Sequence, residues 1–252
     1  MGEPAGVNEV TIVVPCFNEA ARLNRNAFLE FSRDNPLYRF LFVDDGSRDD
    51  TYRVLQDLCA DQGFNGEVFR LETNSGKATA VHHGMNASFS AGSPLVGYLD
   101  ADLATPLAEV PFMIEVLRAR FEIDMVFGAR VKLLGRRIER RLIRHYLGRC
   151  FATVASFTLG LEIYDTQCGA KFFRNNERIR RIFEAPFTSR WIFDVEILAR
   201  YIGQCRASST SPERGIYEHP LNKWQDVAGS KLRPSDFLRA LVDLMQIRRK
   251  YL

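Results

Sequence analysis

Short apolar runs alternate along the chain with longer segments in which apolar residues recur every three or four positions. Residues 10–14 are β-branched and read as a buried strand. A helix is predicted from about residue 19 to 34, with Leu23, Ala27, Phe28 and Phe31 on its inner face. Residues 40–43 form the second strand, and Asp49 or Asp50 caps a helix carrying Val54, Leu55 and Leu58. A third strand, 68–71, precedes a helix running to about residue 88. The apolar run 94–99 is the fourth strand, 106–121 the next helix and 124–127 the fifth strand. This alternation predicts an α/β fold, Rossmann-like, with a mostly parallel sheet flanked by helices.

Every predicted strand ends in polar or charged residues: Asn18 and Glu19, Asp44 and Asp45, Asn74 and Lys77, Asp100 and Asp102, Arg130. In an open α/β sheet, ligands bind outside the carboxyl ends of the strands. Helix caps account for one or two such ends, but not for all five. Asp100-Ala101-Asp102 delivers two carboxylates to one strand end, a donor set suited to Mg²⁺ or Mn²⁺. Alone, it also reads as a helix N-cap at Asp102 or Thr105, ahead of Pro106. A dinucleotide fold or a P-loop is excluded on residues. Pro15 follows the first strand, and Gly76-Lys77 lacks both the earlier Gly and the following Ser or Thr.

Composition changes this picture little. A chain of 252 residues with net charge +3 has ample length for a core and too little charge to argue for nucleic acid. The five cysteines are scattered without a Cys-x-x-Cys, which predicts reduced thiols and a cytosolic setting. No signal peptide is visible, and no apolar run reaches the roughly 20 residues that span a bilayer.

Four ordered motifs carry a resemblance: Val14-Pro15-Cys16-Phe17-Asn18-Glu19, Val43-Asp44-Asp45-Gly46-Ser47, Asn74-Ser75-Gly76-Lys77 and Asp100-Ala101-Asp102. They resemble family 2 glycosyltransferases of the GT-A fold. Later segments narrow it: Asp165 to Phe173, Arg190 to Glu196, and Trp224 with Gly229-Ser230-Lys231-Leu232 are similar to polyprenyl-phosphate glycosyltransferases, most nearly the dolichyl-phosphate β-glucosyltransferase type. The resemblance implies a nucleotide-sugar donor, a divalent metal and inversion at the anomeric carbon. It implies that Pro15, Glu19 and Asp45 line the nucleoside pocket with Asp44 beside them, that Asp100 faces ribose and sugar, and that Asp102 is the main metal ligand, with Asp100 assisting. Lys77 would sit near the donor. Mannosyl-type relatives often carry Gln where Ala104 stands here. That departure favours UDP-glucose over GDP-mannose and leaves water and diphosphate to complete the metal's shell.

From residue 130 to 149 the charge is lopsided: Arg130, Lys132, Arg136, Arg137, Arg140, Arg141, Arg144 and Arg149 face only Glu139. Apolar residues interleave at mostly helical spacing, and an apolar stretch, 151–161, follows. A basic amphipathic helix beside an apolar one reads as a membrane-surface element, with a solvated helix face as the alternative. The resemblance assigns Arg130 and Arg141, with Lys231, to an acceptor lipid phosphate, and Gln167 to the sugar or that phosphate. A phosphate acceptor needs no strong base; Asp194 is the choice if one exists, with an N-cap as its alternative. A single catalytic domain is expected over 1–232, with a donor half (about 8–130) and an acceptor half (131–232). An amphipathic helix, 233–252, would lie on a membrane, pack on the domain or form a homo-oligomer interface. The whole is expected on the cytoplasmic face of a membrane. The N-terminal span of eukaryotic glucosyl-type relatives is not seen, which points to a microbial relative. Two competing readings keep a hydroxyl acceptor or another donor, or make the chain a non-catalytic nucleotide-binding module.

Overall fold

A computed structural model describes residues 9–139, 142–227 and 234–252, with side chains described outside 142–147 and 234–238. In chain order the elements are β1 (Val10–Cys16), α1 (Arg25–Asp34), β2 (Tyr38–Asp44), α2 (Thr51–Cys59), β3 (Gly66–Arg70), α3 (Lys77–Ser90), β4 (Leu95–Leu99), α4 (Val110–Ala119), β5 (Met125–Ala129), β6 (Arg137–Glu139), α5 (Leu142–Leu159), β7 (Ala170–Arg174), α6 (Glu177–Glu184), α7 (Phe193–Ala207), β8 (Ile216–Pro220), β9 (Lys223–Gln225) and α8 (Pro234–Tyr251). Seven strands form one sheet in the order β3-β2-β1-β4-β7-β5-β8, and β6 pairs with β9 in a small parallel sheet. Only β7 of the large sheet runs against its neighbours, antiparallel to both β4 and β5.

The two-residue period of the strands divides the core. Val13, Val43, Tyr98 and Phe127 face α3 and α5 to α8, whereas Ile12, Phe42, Leu99 and Val126 face α1, α2 and α4. Gly84 lets α3 settle on β1 and β2, since a Cβ there would meet Val13 Cγ1 at 2.4 Å. That close seat sets where Lys77, the first residue of α3, projects.

The α/β expectation holds, with local departures. The helix predicted from residue 19 starts at Arg25, because Asn18 adopts φ 54° and Thr51 Oγ1 takes the amides of Glu19 and Ala20. Asn24 then caps α1 by accepting from the Ala27 amide. Asp194 is not a cap: it lies in the first turn of α7, after Ile192. The basic stretch is not helical from residue 130. Gly135, at φ 82°, turns the chain into β6, whose Ile138 pairs with Trp224 of β9, and α5 begins only at Leu142. The C-terminal helix α8 packs one side against the domain. Ala240, Leu244 and Ile247 are buried, and Leu241, Val242 and Met245 are exposed. No described helix is long and apolar enough to cross a membrane.

Candidate active site

A cleft of about 190 Å³ opens where β1, β2 and β4 end and α3 begins. Pro15, Phe17, Glu19, Arg22, Asp45, Lys77, Asp100 and Asp102 line it. Its floor depends on two tight approaches. Gly46 has φ 63°, and a Cβ there would meet the Asn74 amide nitrogen at 2.6 Å. Only glycine therefore lets the turn after β2 nest against the loop before α3. Gly169 lies against Asp100, whose Oδ2 would stand 2.1 Å from an added Cβ.

Asp45 fastens those two loops. Its carboxylate accepts from the Ser75 amide (2.8 Å), the Gly76 amide (2.7 Å) and Asn74 Nδ2 (2.9 Å). Burial raises its pKa, and the two amides pull the other way. Asp44 points to the opposite side of the strand. It is fully buried, meets Arg70 Nε at 3.2 Å and accepts from the Ser47 amide. Of the aspartate pair in this motif, Asp45 lines the cleft and Asp44 braces the turn behind it.

Lys77 Nζ meets Asp100 Oδ1 at 2.5 Å, with both side chains more than one-third exposed. Burial works against the ammonium, but Asp100, Asp194 and Asp102 outweigh it and raise its pKa. Asp102 uses Oδ1 to accept from the Ala104 amide at 3.1 Å. Burial raises the Asp102 pKa and the Asp100 charge raises it further. Two carboxylates that repel each other across a cleft suit a hard divalent cation, whose charge removes that repulsion. Among the described residues no cluster of three or more His, Cys, Asp or Glu forms a closed cage. A cation held by this pair would take its remaining ligands from water and a ligand's oxygens, as Mg²⁺ tolerates.

Arg22 is a participant the sequence reading missed. It grips the Glu19 carboxylate through Nε and Nη2, and Asp102 and Asp100 raise its pKa beyond what that pair does. Glu19 is therefore engaged with Arg22 at the cleft wall. The cleft thus sets four carboxylates, Glu19, Asp45, Asp100 and Asp102, around two cations, Arg22 and Lys77.

Of the residues expected on the acceptor side, Arg130 and Gln167 lie at the end of β5. Arg130 forms a two-pronged ion pair with Asp165, Nε to Oδ2 at 2.6 Å and Nη2 to Oδ1 at 2.8 Å, and stacks 5.2 Å from the Trp224 ring. Burial opposes its charge and Asp165 more than compensates. The Gln167 amide donates to the same Asp165, and Glu218 anchors the Tyr164 and Asp165 amides. Arg141 and Lys231 lie outside the described residues. Asp194 is nearly buried, and both Lys171 Nζ (2.6 Å) and the Tyr98 hydroxyl bond its Oδ1.

The model of the family described as Glycosyl transferase family 2 matches residues 11–179. A Dolichyl-phosphate beta-glucosyltransferase of Dictyostelium discoideum is 31% identical over 257 residues, covering 96% of this chain and 75% of that protein. The human protein of the same name is 32% identical, covering 97% of this chain and 76% of its own length. Among solved structures, glucosyl-3-phosphoglycerate synthase from Mycobacterium tuberculosis, with Mn²⁺, UDP and glucosyl-3-phosphoglycerate, superposes with a TM-score of 0.66. That match is 17% identical and covers 96% of this chain and 80% of that one, a likeness of fold.

Proposed function

The chain belongs to glycosyl transferase family 2 and is a glycosyltransferase, and we propose that it moves glucose from UDP-glucose to a polyprenyl phosphate of the dolichyl type, with inversion and with a divalent metal. The observation that carries this reading is the cleft where Asp100 and Asp102 stand beside Lys77 and Arg22. Carboxylates suit ribose and sugar hydroxyls and a metal; the cations suit a diphosphate. The names of relatives spanning almost the whole chain supply the sugar and the lipid.

On this reading Pro15, Glu19 and Asp45 border the nucleoside, and Asp44 supports Asp45 from behind. Asp102, with Asp100, holds Mg²⁺ or Mn²⁺, which when bound offsets the charge of the departing UDP. Lys77 and Arg22 steady the diphosphate. Residues 8–130 form the donor half and 131–232 the acceptor half. Arg130, with Arg141 and Lys231, receives the acceptor phosphate, and Gln167 borders it. That phosphate is anionic near neutral pH, so it attacks the anomeric carbon without surrendering a proton to a base. The engagement of Asp194 with Lys171 agrees with a step that needs none. Catalysis is then mainly positioning and charge stabilisation.

The acceptor's tail requires a lipid surface. Exposed apolar side chains on α5 (Val154, Phe157) and α8 (Leu241, Val242, Met245), with the basic end Arg248-Arg249-Lys250, support docking on the cytoplasmic face of a membrane. The test offers UDP-glucose or GDP-mannose with polyprenyl phosphate or the neutral polyprenol in liposomes, with Mn²⁺ or a chelator. Lipid-linked glucose should form only from UDP-glucose, the phosphate acceptor and metal together. Product from the neutral alcohol would overturn the acceptor, and product from GDP-mannose the donor.

A further inference from the structure

Lys171 is a charged residue in the middle of an apolar strand, and its side chain is wholly buried. In register it lies opposite Tyr98 of β4 on one side and Phe127 of β5 on the other. The three side chains therefore share one row on one face of the sheet. The ammonium sits 4.9 Å from the Phe127 ring centre and 5.5 Å from that of Tyr98. It donates to the Cys168 carbonyl and reaches Asp194 Oδ1 at 2.6 Å. The Tyr98 hydroxyl donates to that same oxygen. Burial, and next the Asp194 charge, push the phenol well above its usual range, so it remains a donor.

Stability alone does not account for this arrangement. A buried ion pair is weak evidence of stabilisation, since well-packed apolar side chains do as well. Its position is informative. Asp100 lies two residues beyond Tyr98 on the same chain, so the row shares the sheet face on which α3, with Lys77 at its start, packs toward the cleft. Lys77, at the cleft, feels the Asp194 charge. Both donors converge on Oδ1, and the 8% exposure that the Asp194 side chain keeps is the only opening it has.

We infer that Lys171 is a positioning residue: with Tyr98 it fixes Oδ1 of Asp194, so that Oδ2 is presented as a hydrogen-bond acceptor to a hydroxyl of the donor's glucose. An anionic oxygen repels a phosphate and accepts from a hydroxyl, which selects the sugar over either phosphate group. No proton is transferred; the carboxylate orients the ring. The inference rests on the UDP-glucose reading, and its test separates the two.

Wild type, Lys171→Met, Asp194→Asn and the double variant are compared for melting temperature, for affinity for UDP and for UDP-glucose by calorimetry with Mn²⁺, and for kcat. Lys171→Met strands a buried carboxylate and should lower the melting temperature by about 10 °C. The double variant removes both charges and should recover most of that loss. Its affinity for UDP should match wild type, while its affinity for UDP-glucose stays about 10-fold weaker and kcat about 100-fold lower. Lys171→Arg should retain more of both than Lys171→Met. Recovery of UDP-glucose affinity and kcat together with the melting temperature would overturn the inference, leaving a purely structural pair. Wild type that binds UDP but not UDP-glucose would instead overturn the donor reading.

Discussion

Two ion pairs of similar length have different surroundings. Lys77 meets Asp100 at 2.5 Å at the mouth of the cleft, and Arg200 meets Glu196 at 2.7 Å inside α7. The inner pair is closed. Glu196 also accepts from the Thr188 and Ser189 amides and the Tyr251 hydroxyl, while Arg200 donates to the carbonyls of Ile182, Ala185 and Pro186. The cleft pair has no such shell, and two further charges, Asp102 and Arg22, crowd it. Similar contact distances thus carry different meanings. A saturated pair joins α7 to α8 and the preceding loop, and an unsaturated one retains capacity for a ligand.

The contrast is broken most strongly at Asp102. Asp102→Asn should cost about 10³-fold in glucosyl transfer, while the melting temperature holds or rises because a repelling charge has gone. A rate assay and a thermal melt on one preparation check both. Glu196→Ala should act the other way round. It leaves Arg200 buried and unpaired, costing about 3–5 kcal/mol of stability in denaturant titration, with transfer largely kept by the folded fraction. Gly169→Ala tests whether the cleft pair depends on backbone space. The added methyl displaces Asp100, and kcat should fall about 100-fold.

The smallest effect is in acid. The Asp102 pKa is raised in the folded protein, so the folded state takes up this proton before the unfolded one. Within the window just above the ordinary value of 3.8, falling pH therefore favours folding at this site, and rising pH removes that contribution. Asp102→Asn should lose more stability than wild type on acidification through that window. In wild type, Mn²⁺ affinity should weaken as Asp102 protonates, at a higher pH than for an ordinary aspartate. Melts and calorimetry across about pH 4–6 would read both.

Much of this contrast was legible before the structure. Alternating runs and charged strand ends locate the cleft, because a strand's period and its exit direction are local properties. Adjacent residues on a strand point to opposite faces, which separates Asp45 at the cleft from Asp44 beside it, but the Arg70 partner of Asp44 comes from a distant strand and left no local signal. Arg22 left a faint signal, a cation three residues after Glu19. Lys171 left a stronger one, a charge among Ala170, Phe172 and Phe173. The small β6–β9 sheet left none, since three-residue strands with one buried residue each have no period to read. The insertion of β7 between β4 and β5 was also hidden, because it depends on pairing between distant segments.

That reversed strand has a consequence for how the chain tolerates change in length. β7 is preceded by Gly169, whose missing side chain makes room for Asp100, and it carries Lys171, which holds Asp194. Adding or deleting one residue there would turn Lys171 to the opposite face and move Gly169 off its neighbour at once. Loops elsewhere absorb insertions by bulging into solvent, but a segment hydrogen-bonded along both edges has no slack. Length variation should therefore be rejected between residues 169 and 171, even where individual side chains can be exchanged.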